Sequence, residues 1–426
     1  KDINWEGHSD TETIAEYINE FGVNKFLENA DGMYALAAFN IFSKKLFLLR
    51  DNFGEKPLYM FSERNNICFS STLEGIKIYK KDNLEIEQNS IVNFINYGFI
   101  PDNKSIYKKV ISIDPSQLLE IEIANKEFLI TSKQKNLYKN NQTVIKKETK
   151  KNYLSEIEEL ISDSIKSRLI GDLKVGCFLS GGIDSSLVAA IAQKHLNGKL
   201  ETFSIGFESS GFDESIFAKE VANILQTKHK SYFLEDKDIL NVATNLRFAF
   251  DEPFADQSQL AMLFLCDKVR NEGDLKVALS GDGGDELFCG YNRYTKGYDL
   301  YKTLQNNHLL RKSLLILQIT PFELVDKILH SFPRKIRMSA TRNLAFKLRK
   351  VLNCKNLESY YETLISRDNK NVIKDKLLIN KLRNDLIKNI SNILTEFEDK
   401  DPRTKLMIID EKIYLPNDIL VKSDRS

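Results

Sequence analysis

The sequence predicts an α/β protein whose C-terminal part is a doubly wound parallel sheet. Three observations carry this. Val175–Leu179 is a short apolar run that ends in Ser180-Gly-Gly-Ile-Asp-Ser-Ser186, and a helix-forming stretch runs from Ser185 to Asn197-Gly198. That order reads as strand, tight loop and helix. Lys276–Leu279, Ser280-Gly-Asp-Gly-Gly284 and Asp285–Phe288 repeat the arrangement, the last opening a helix or turn. Between them Thr202–Phe207 alternates as a strand, Gly211-Phe-Asp-Glu214 follows, and Phe217, Val221, Ile224 and Leu225 recur at helical spacing. Repeated βα units in one region build a parallel sheet with helices on both faces.

The elements before this region follow in order. Ser9-Asp10-Thr11 precedes the amphipathic run Ile14–Ile18, with an N-cap as the plain reading. Lys45–Leu49 and Ile67–Ser70 read as strands. Thr131 to Lys151 is dense in Lys, Asn, Gln and Thr, a linker composition. It divides the chain into residues 1–135, a linker at 136–150, and residues 151–426. Leu154, Ile157, Leu160, Ile161 and Ile165 mark a helix face, ended by Gly171. Residues 297–400 read as mostly helical, their Leu/Ile/Phe periodicity being core packing.

Composition bounds the function. With 426 residues, two domains with their own cores are expected. A net charge of +1, with both signs intermixed, argues against a nucleic-acid surface. Five cysteines without paired spacing give neither a disulfide framework nor a zinc site, and Cys68 and Cys177 read as small core residues. Leu314–Leu317 is too short to span a bilayer and no signal peptide is visible, so a reducing cytoplasm is the expected compartment. No repeat of solenoid period is present.

The Ser/Gly loops carry the chemistry. Such a loop at a helix start points amides and hydroxyls at one spot, on the positive end of the helix dipole. A polyanion, above all phosphate, is the matching ligand; a plain Ser/Gly turn is the alternative. The first loop is not a Walker A sequence, because no Gly-Lys-Ser/Thr follows its glycines. Two such loops at strand ends of one parallel sheet are placed to face one ligand. Asp184 and Asp285 then fall near a polyphosphate, where two carboxylates suit Mg²⁺; each alone reads equally as an N-cap. Asp251-Glu-Pro-Phe254 and Asp256 form a further acidic group, either a solvated helix start or a substrate contact.

Together these segments resemble the glutamine-dependent (glutamine-hydrolysing) asparagine synthetase family. The matching stretches are Gly176–Ser186, Thr202–Phe207, Asp251–Phe254 and Ser280–Phe288, in the family's order. Gly7-His-Ser-Asp-Thr-Glu-Thr13, Asp31-Gly-Met33 and Arg50–Tyr59 resemble the second half of a class II glutaminase domain. The resemblance implies a partial Ntn-hydrolase αββα glutaminase domain followed by an adenine nucleotide alpha hydrolase-like (PP-loop) domain. It implies attack of aspartate on Mg-ATP, a β-aspartyl-AMP intermediate, and ammonia delivered from glutamine through an internal channel. Prepositioned donors and metal would stabilise charge on the leaving pyrophosphate. Ser180, Gly181, Gly182, Asp184, Ser185 and Ser186 are assigned to the pyrophosphate, with Ser280 in the second loop. Backbone near Phe178, Ile205 and Gly281 is assigned to adenosine. Asp184 and Asp285 are the metal candidates, Asp282 and Glu286 handle nucleotide, intermediate or ammonia, and Asp10 pairs with the α-amino group of glutamine.

The expected cofactors are ATP and Mg²⁺. The expected partners are aspartate, glutamine or ammonia, with no nucleic acid, no membrane, and a homodimer as the candidate assembly. Against the family, the chain begins at Lys1 without an N-terminal Cys, the thiol that its own amine would activate. Tyr414–Arg425 resembles a segment that continues further in the family, into a region bearing a lysine that Lys422 does not replace. The reading is therefore a chain truncated at both ends and inactive with glutamine. Cys289 stands where the family has Gly, and Ala261 where Pro is common. A relative amidating another carboxylate, such as a sugar acid of surface polysaccharide, and a non-catalytic homologue are the alternative readings.

Overall fold

A computed structural model describes residues 5–64, 66–124, 127–135, 137, 150–171, 173–196, 198–207, 213–273, 275–314, 350–367 and 372–426. Most of the expected linker, Asn197, Gly211 and Phe212, and the run 315–317 lie outside the described residues.

In chain order the elements begin with α1 (Asp10–Phe21), α2 (Val23–Asn29), β1 (Ala35–Asn40), β2 (Lys45–Arg50), β3 (Tyr59–Glu63), β4 (Asn66–Ser70), α3 (Leu73–Tyr79), α4 (Gln88–Tyr97), β5 (Val110–Ser112), β6 (Gln117–Ala124) and β7 (Glu127–Gln134). They continue with α5 (Lys150–Arg168), β8 (Val175–Phe178), α6 (Ile183–His195), β9 (Glu201–Phe207), α7 (Ser215–Leu225), β10 (Lys228–Leu234), α8 (Asp236–Ala249), α9 (Gln259–Gly273) and β11 (Val277–Leu279). Last come α10 (Gly284–Leu287), α11 (Lys296–Asn306), α12 (His308–Leu314), α13 (Leu357–Ile365), α14 (Lys376–Thr395), α15 (Pro402–Ile409), a π-helical stretch Asp410–Ile419 and α16 (Leu420–Arg425). Among the described residues no helix is long and apolar enough to cross a membrane.

The chain forms two compact units, one of residues 1–83, 109–284 and 418–426, the other of residues 84–108 and 285–417. This partition differs from a cut at the linker, because residues 84–108 leave the N-terminal region to join the helices that follow Gly284.

Within the first unit, two antiparallel sheets have the orders β1-β2-β6-β7 and β4-β3-β5. Leu48 and Leu49 are neighbours on β2 and point to opposite faces, as strand geometry requires. Leu48 packs with Leu58, Met60, Ile113, Leu119 and Ile121 between the sheets. Leu49 packs with Leu118 against Val23, Phe26 and Leu27 of α2, with Ile14 and Ile18 of α1 beside them. The helix α3 contacts β4. The layer order is the αββα sandwich expected from the resemblance.

The same unit holds a parallel sheet of order β10-β9-β8-β11. Ile165 of α5, Ala189 and Ala192 of α6, and Ala218 and Ala222 of α7 pack with Cys177, Leu179 and Leu200. Phe264, Leu265 and Val269 of α9 pack with Phe203, Tyr232 and Leu234. Helices thus cover both faces, and the sheet is doubly wound. Because β9 follows β8 on one side and β11 lies on the other, the strand order reverses between β8 and β11. Their C-terminal ends flank this switch point, where ligands of open α/β sheets bind.

Four local expectations are corrected. The helix α6 starts at Ile183 and ends at His195, with Leu196 as C-cap, so it begins two residues before Ser185 and stops short of Gly198. On α5 only Ile161 and Ile165 reach the core; Leu154, Ile157 and Leu160 are exposed. On α7, Val221 and Leu225 of the expected face pack against the core beside Ala218 and Ala222, small residues that admit close packing, while Phe217 and Ile224 are exposed. Cys177 is fully buried, whereas Cys68 is half-buried.

The second unit is helical around a buried charge. Asp410 is wholly buried and accepts from Arg293 Nε at 2.7 Å and the Tyr361 hydroxyl at 2.5 Å, and also from the Tyr294 hydroxyl. The Arg293 guanidinium lies over the rings of Tyr291 and Tyr414, at 4.0 and 4.6 Å from their centroids. Residues 84–108 join this unit through Arg367 N–H to Asn96 O (2.7 Å) and through Phe99 packed edge-on to Tyr414.

Candidate functional site

The first Ser/Gly loop turns directly off β8. Gly181 has φ +81°, and a Cβ there would lie 2.7 Å from Ala218 N and 2.6 Å from Phe217 Cβ of α7. Only glycine meets both conditions. The loop is braced internally by Ser185, which is buried. Its hydroxyl accepts from Ser180 N–H (3.2 Å), lies 2.9 Å from Ser180 Oγ, and donates to Gly182 O (3.4 Å). The Gly182 N–H donates to Ser180 Oγ at 3.2 Å. No side chain caps α6 at Gly182, so its first-turn amides are left for an external acceptor. Ser186 Oγ is buried without a hydrogen-bond partner among the described residues. Thus Ser185 is occupied in holding the loop, and Ser186 retains its hydrogen-bonding capacity.

The second loop lies directly against the first. A Cβ on Gly281 would fall 2.8 Å from Ser185 N and 3.0 Å from Asp184 Cβ; one on Gly284 would fall 2.7 Å from Asp184 Cγ. The register Leu279↔Cys177 causes this, since it brings the two strands to an end at the same level. Asp184 sits in the first turn of α6 rather than at its cap, and its carboxylate has no hydrogen bond or ion pair among the described residues. A helix start without a side-chain cap, an orphaned hydroxyl and an unspent carboxylate between glycines form a cradle that fits a polyphosphate with a divalent cation. Among the described residues no group of three or more His, Cys, Asp and Glu side chains is placed to hold a metal. A magnesium ion here would complete its shell with phosphate and water. Phe178 and Ile205 pack against the Phe203 cluster, which fixes the strand ends beside the loops.

In the second loop, Ser280 Oγ donates to Asp282 Oδ2 at 3.0 Å. Ser423 Oγ donates to the same oxygen at 2.5 Å, and Lys422 Nζ lies 3.9 Å from Asp282 Oδ1. The Lys422 side chain is only 8% exposed. The chain passes to the second unit within α10. There Asp285 packs against Gly290, whose amide donates to Asp285 O at 2.9 Å. Glu286 is buried and accepts from the Tyr291 hydroxyl at 2.9 Å. Burial pushes its carboxyl above the usual range, against the lowering effect of that hydrogen bond.

In the N-terminal sandwich, Ser9 caps α1 by accepting from Thr11 N–H, leaving Asp10 exposed in the first turn. Asp10 lines a cavity of about 1300 Å³ together with Ile14, Tyr34, Phe39 and Lys56. The Tyr34 hydroxyl is buried without a partner among the described residues. Burial first, then the charges of Asp51 and Asp31, push its pKa up to about 12. The Arg50–Tyr59 segment owes its shape to its first two residues. Buried Arg50 donates to the carbonyls of Lys56, Ile113 and Gly54 at 2.7–2.8 Å. Asp51 accepts from the amides of Phe53, Glu55 and Lys56 at 2.9–3.1 Å.

Sequence reasoning did not find Lys422 and Ser423 on Asp282, Arg425 on Asp251 (2.5 Å), or Tyr291 on Glu286. The first three lie more than a hundred residues from their partners, and no local pattern marks them.

Comparison with known proteins matches residues 156–426 to the family described as "Asparagine synthase" and residues 1–132 to "Glutamine amidotransferase domain". The chain is 34% identical over 295 residues to a putative asparagine synthetase [glutamine-hydrolyzing] 2 of Methanocaldococcus jannaschii, covering 68% of this chain and 55% of that protein. It is 32% identical over 284 residues to asparagine synthetase [glutamine-hydrolyzing] 1 of Bacillus subtilis, covering 67% and 43%. The chain spans about half the length of the curated relatives it matches. Among solved structures, glutamine-dependent NAD+ synthetase from Acinetobacter baumannii, in complex with ADP, aligns over 67% of each chain with 13% identity and a TM-score of 0.27. The asparagine synthase match covers well over half of the sequence and spans both Ser/Gly loops. The chain belongs to the asparagine synthase family.

Proposed function

We propose that the protein takes part in ATP-dependent amidation of aspartate to asparagine, using ammonia from glutamine and releasing AMP and pyrophosphate by way of β-aspartyl-AMP. The observation that carries this reading is the Asp184 carboxylate, unspent among the described residues and held between Gly281 and Gly284 at the switch point of the sheet. The first-turn amides of α6, with Ser180, Gly181, Gly182 and Ser186, take the polyphosphate. Backbone at Phe178, Ile205 and Gly281 takes the adenosine, and Ser280 shapes the second loop. Magnesium, when bound, supplies charge that stabilises the leaving pyrophosphate, with Asp184 as one ligand and Asp285 as the other candidate. Asp282 and Glu286 are assigned to handling nucleotide, intermediate or ammonia, and Asp10 to the α-amino group of glutamine.

The test uses the protein expressed from its whole reading frame. It is incubated with Mg-ATP and ammonium, aspartate is screened against other carboxylates, and AMP and pyrophosphate are followed. AMP formed with aspartate, with asparagine as product, supports the proposal. AMP formed only with another acid retains the chemistry and replaces the substrate. Absence of AMP with every acid overturns the catalytic reading.

A further inference from the structure

The two-loop cradle is short of positive charge. The first Ser/Gly loop carries no lysine after its glycines, and Asp184 and Asp282 make the two loops acidic. A polyphosphate keeps net negative charge even with a divalent cation bound. A site that holds it beside two carboxylates therefore needs a further cation. Lys422 of α16 brings one to the second loop, its Nζ lying 3.9 Å from Asp282 Oδ1.

Three charged side chains stand close together on α16, and they are used differently. Asp424 Oδ1 pairs with Lys56 Nζ at 2.9 Å. Arg425 Nη2 lies 2.5 Å from Asp251 Oδ2 and donates to Ser71 O at 2.9 Å. The Lys422 ammonium makes no hydrogen bond among the described residues, since 3.9 Å is too long for one. Its neighbour Asp282 is engaged on the other oxygen, where Oδ2 accepts from the Ser280 and Ser423 hydroxyls at 3.0 and 2.5 Å. Yet the Lys422 side chain is only 8% exposed. Withdrawing an ammonium from water without hydrogen-bonding it is costly, and a carboxylate at this distance offsets the cost only in part. A lysine in this condition is a charge held ready for an anion, and its flexible stem lets the ammonium move without the helix.

We propose that Lys422 is a ligand of the nucleotide's polyphosphate, supplied from α16 in place of a lysine within the first loop. The inference rests on the nucleotide reading of the loops. Asp282 adjoins Gly281, which is packed against Ser185 N and Asp184 Cβ in the first turn of α6. The Lys422 ammonium and the uncapped amides of α6 thus border the same space. Asp282 is the resident counter-ion that an incoming phosphate displaces.

The test measures the Kd of Mg-ATP, magnesium pyrophosphate and adenosine with the protein expressed from its whole reading frame. Lys422→Gln is expected to weaken Mg-ATP and pyrophosphate by about 10- to 100-fold, the worth of one charge-assisted hydrogen bond, and to leave adenosine unchanged. Asp282→Asn, which removes the competing carboxylate, is expected to tighten pyrophosphate by about threefold or more. A lysine with only a structural role would not produce this opposite pair. Lys422→Gln replaces a buried ammonium by a neutral group, so it is expected to melt no lower than the unaltered protein. Should it unfold, pyrophosphate affinity in Asp282→Asn decides alone, and an affinity unchanged or weakened there overturns the proposal. Unchanged pyrophosphate affinity in Lys422→Gln overturns the role of Lys422 alone, and a loss confined to the KM of the acceptor acid does the same by assigning Lys422 to that acid. No binding of Mg-ATP or pyrophosphate by the unaltered protein overturns the nucleotide reading, and the role of Lys422 falls with it.

Discussion

Gly284 and Asp184 are so close that a Cβ on Gly284 would stand 2.7 Å from the Asp184 carboxylate carbon. The two residues belong to different Ser/Gly loops, and the carboxylate occupies space that any side chain at residue 284 would contest. Gly284→Ala is expected to push Asp184 aside without unfolding the chain, since a short side chain can rotate away. A displacement of this size at a reacting centre costs about a hundredfold in rate. Rates of AMP formation by the whole-frame protein, set beside thermal melting curves, check this; an unchanged rate would remove Asp184 from the proposed chemistry.

Ser185 and Ser186 are adjacent and look equivalent in sequence, yet the structure gives them opposite duties. Ser185→Ala removes the brace of the first loop and should cost about 0.5–1.5 kcal/mol, the net worth of a hydrogen bond whose donor, on exposed Ser180, water can still reach. Ser186→Ala removes a hydroxyl that has no partner among the described residues, so stability should hold. Its nucleotide affinity should fall by about fivefold, the worth of one neutral hydrogen bond near 1 kcal/mol. Urea melts and nucleotide titration of the two variants separate these effects.

Cys289 adopts φ +60°, in the left-handed region that a side chain disfavours by about 1–2 kcal/mol. That strain explains why glycine suits this position. Cys289→Gly should raise stability by about 0.5–1 kcal/mol after the entropy of a freer unfolded chain is subtracted. Cys289→Ala keeps the Cβ and should bring no gain. The denaturation midpoints of the two variants decide the matter.

His229 lies among Thr202, Ser204 and Ser231, with its ring nitrogens 3.0–3.2 Å from their hydroxyls. Burial, and then the charge of Lys219, hold its pKa below the ordinary value of about 6.5. The unfolded chain therefore binds this proton more readily than the folded one. The stability contribution is full above about pH 6.5 and is lost as pH falls from there through the folded pKa. A urea midpoint that declines less steeply below pH 6.5 in His229→Gln is the expected result. Equal slopes in the two proteins would assign the acid sensitivity to other groups.

Much of the fold was legible in the residues. The strands at Val175–Phe178, Glu201–Phe207 and Val277–Leu279 follow from short apolar runs ended by Ser/Gly loops, and the parallel pairing follows from the helices between them. The α5 and α7 faces were less legible. Apolar spacing marked Val221 and Leu225, which pack on the core, but also Leu154, Leu160, Phe217 and Ile224, which are exposed, while the fully buried contacts of α7 are made by alanines that carry little periodic signal.

By itself, the sequence determined the strand–loop–helix order around both Ser/Gly loops, the family, and the residue types of the loops, because backbone dihedrals and strand alternation are local properties. The tertiary structure decided which groups remain available for a ligand. Ser185 is spent and Ser186 is not; Asp184 lies against Gly284; Asp282 is met by Ser423, 141 residues away. It also decided that residues 84–108 join the helical unit rather than the sandwich that surrounds them in sequence. Hydrogen bonds and ion pairs depend on distance in space, and chain folding makes that distance independent of separation along the sequence.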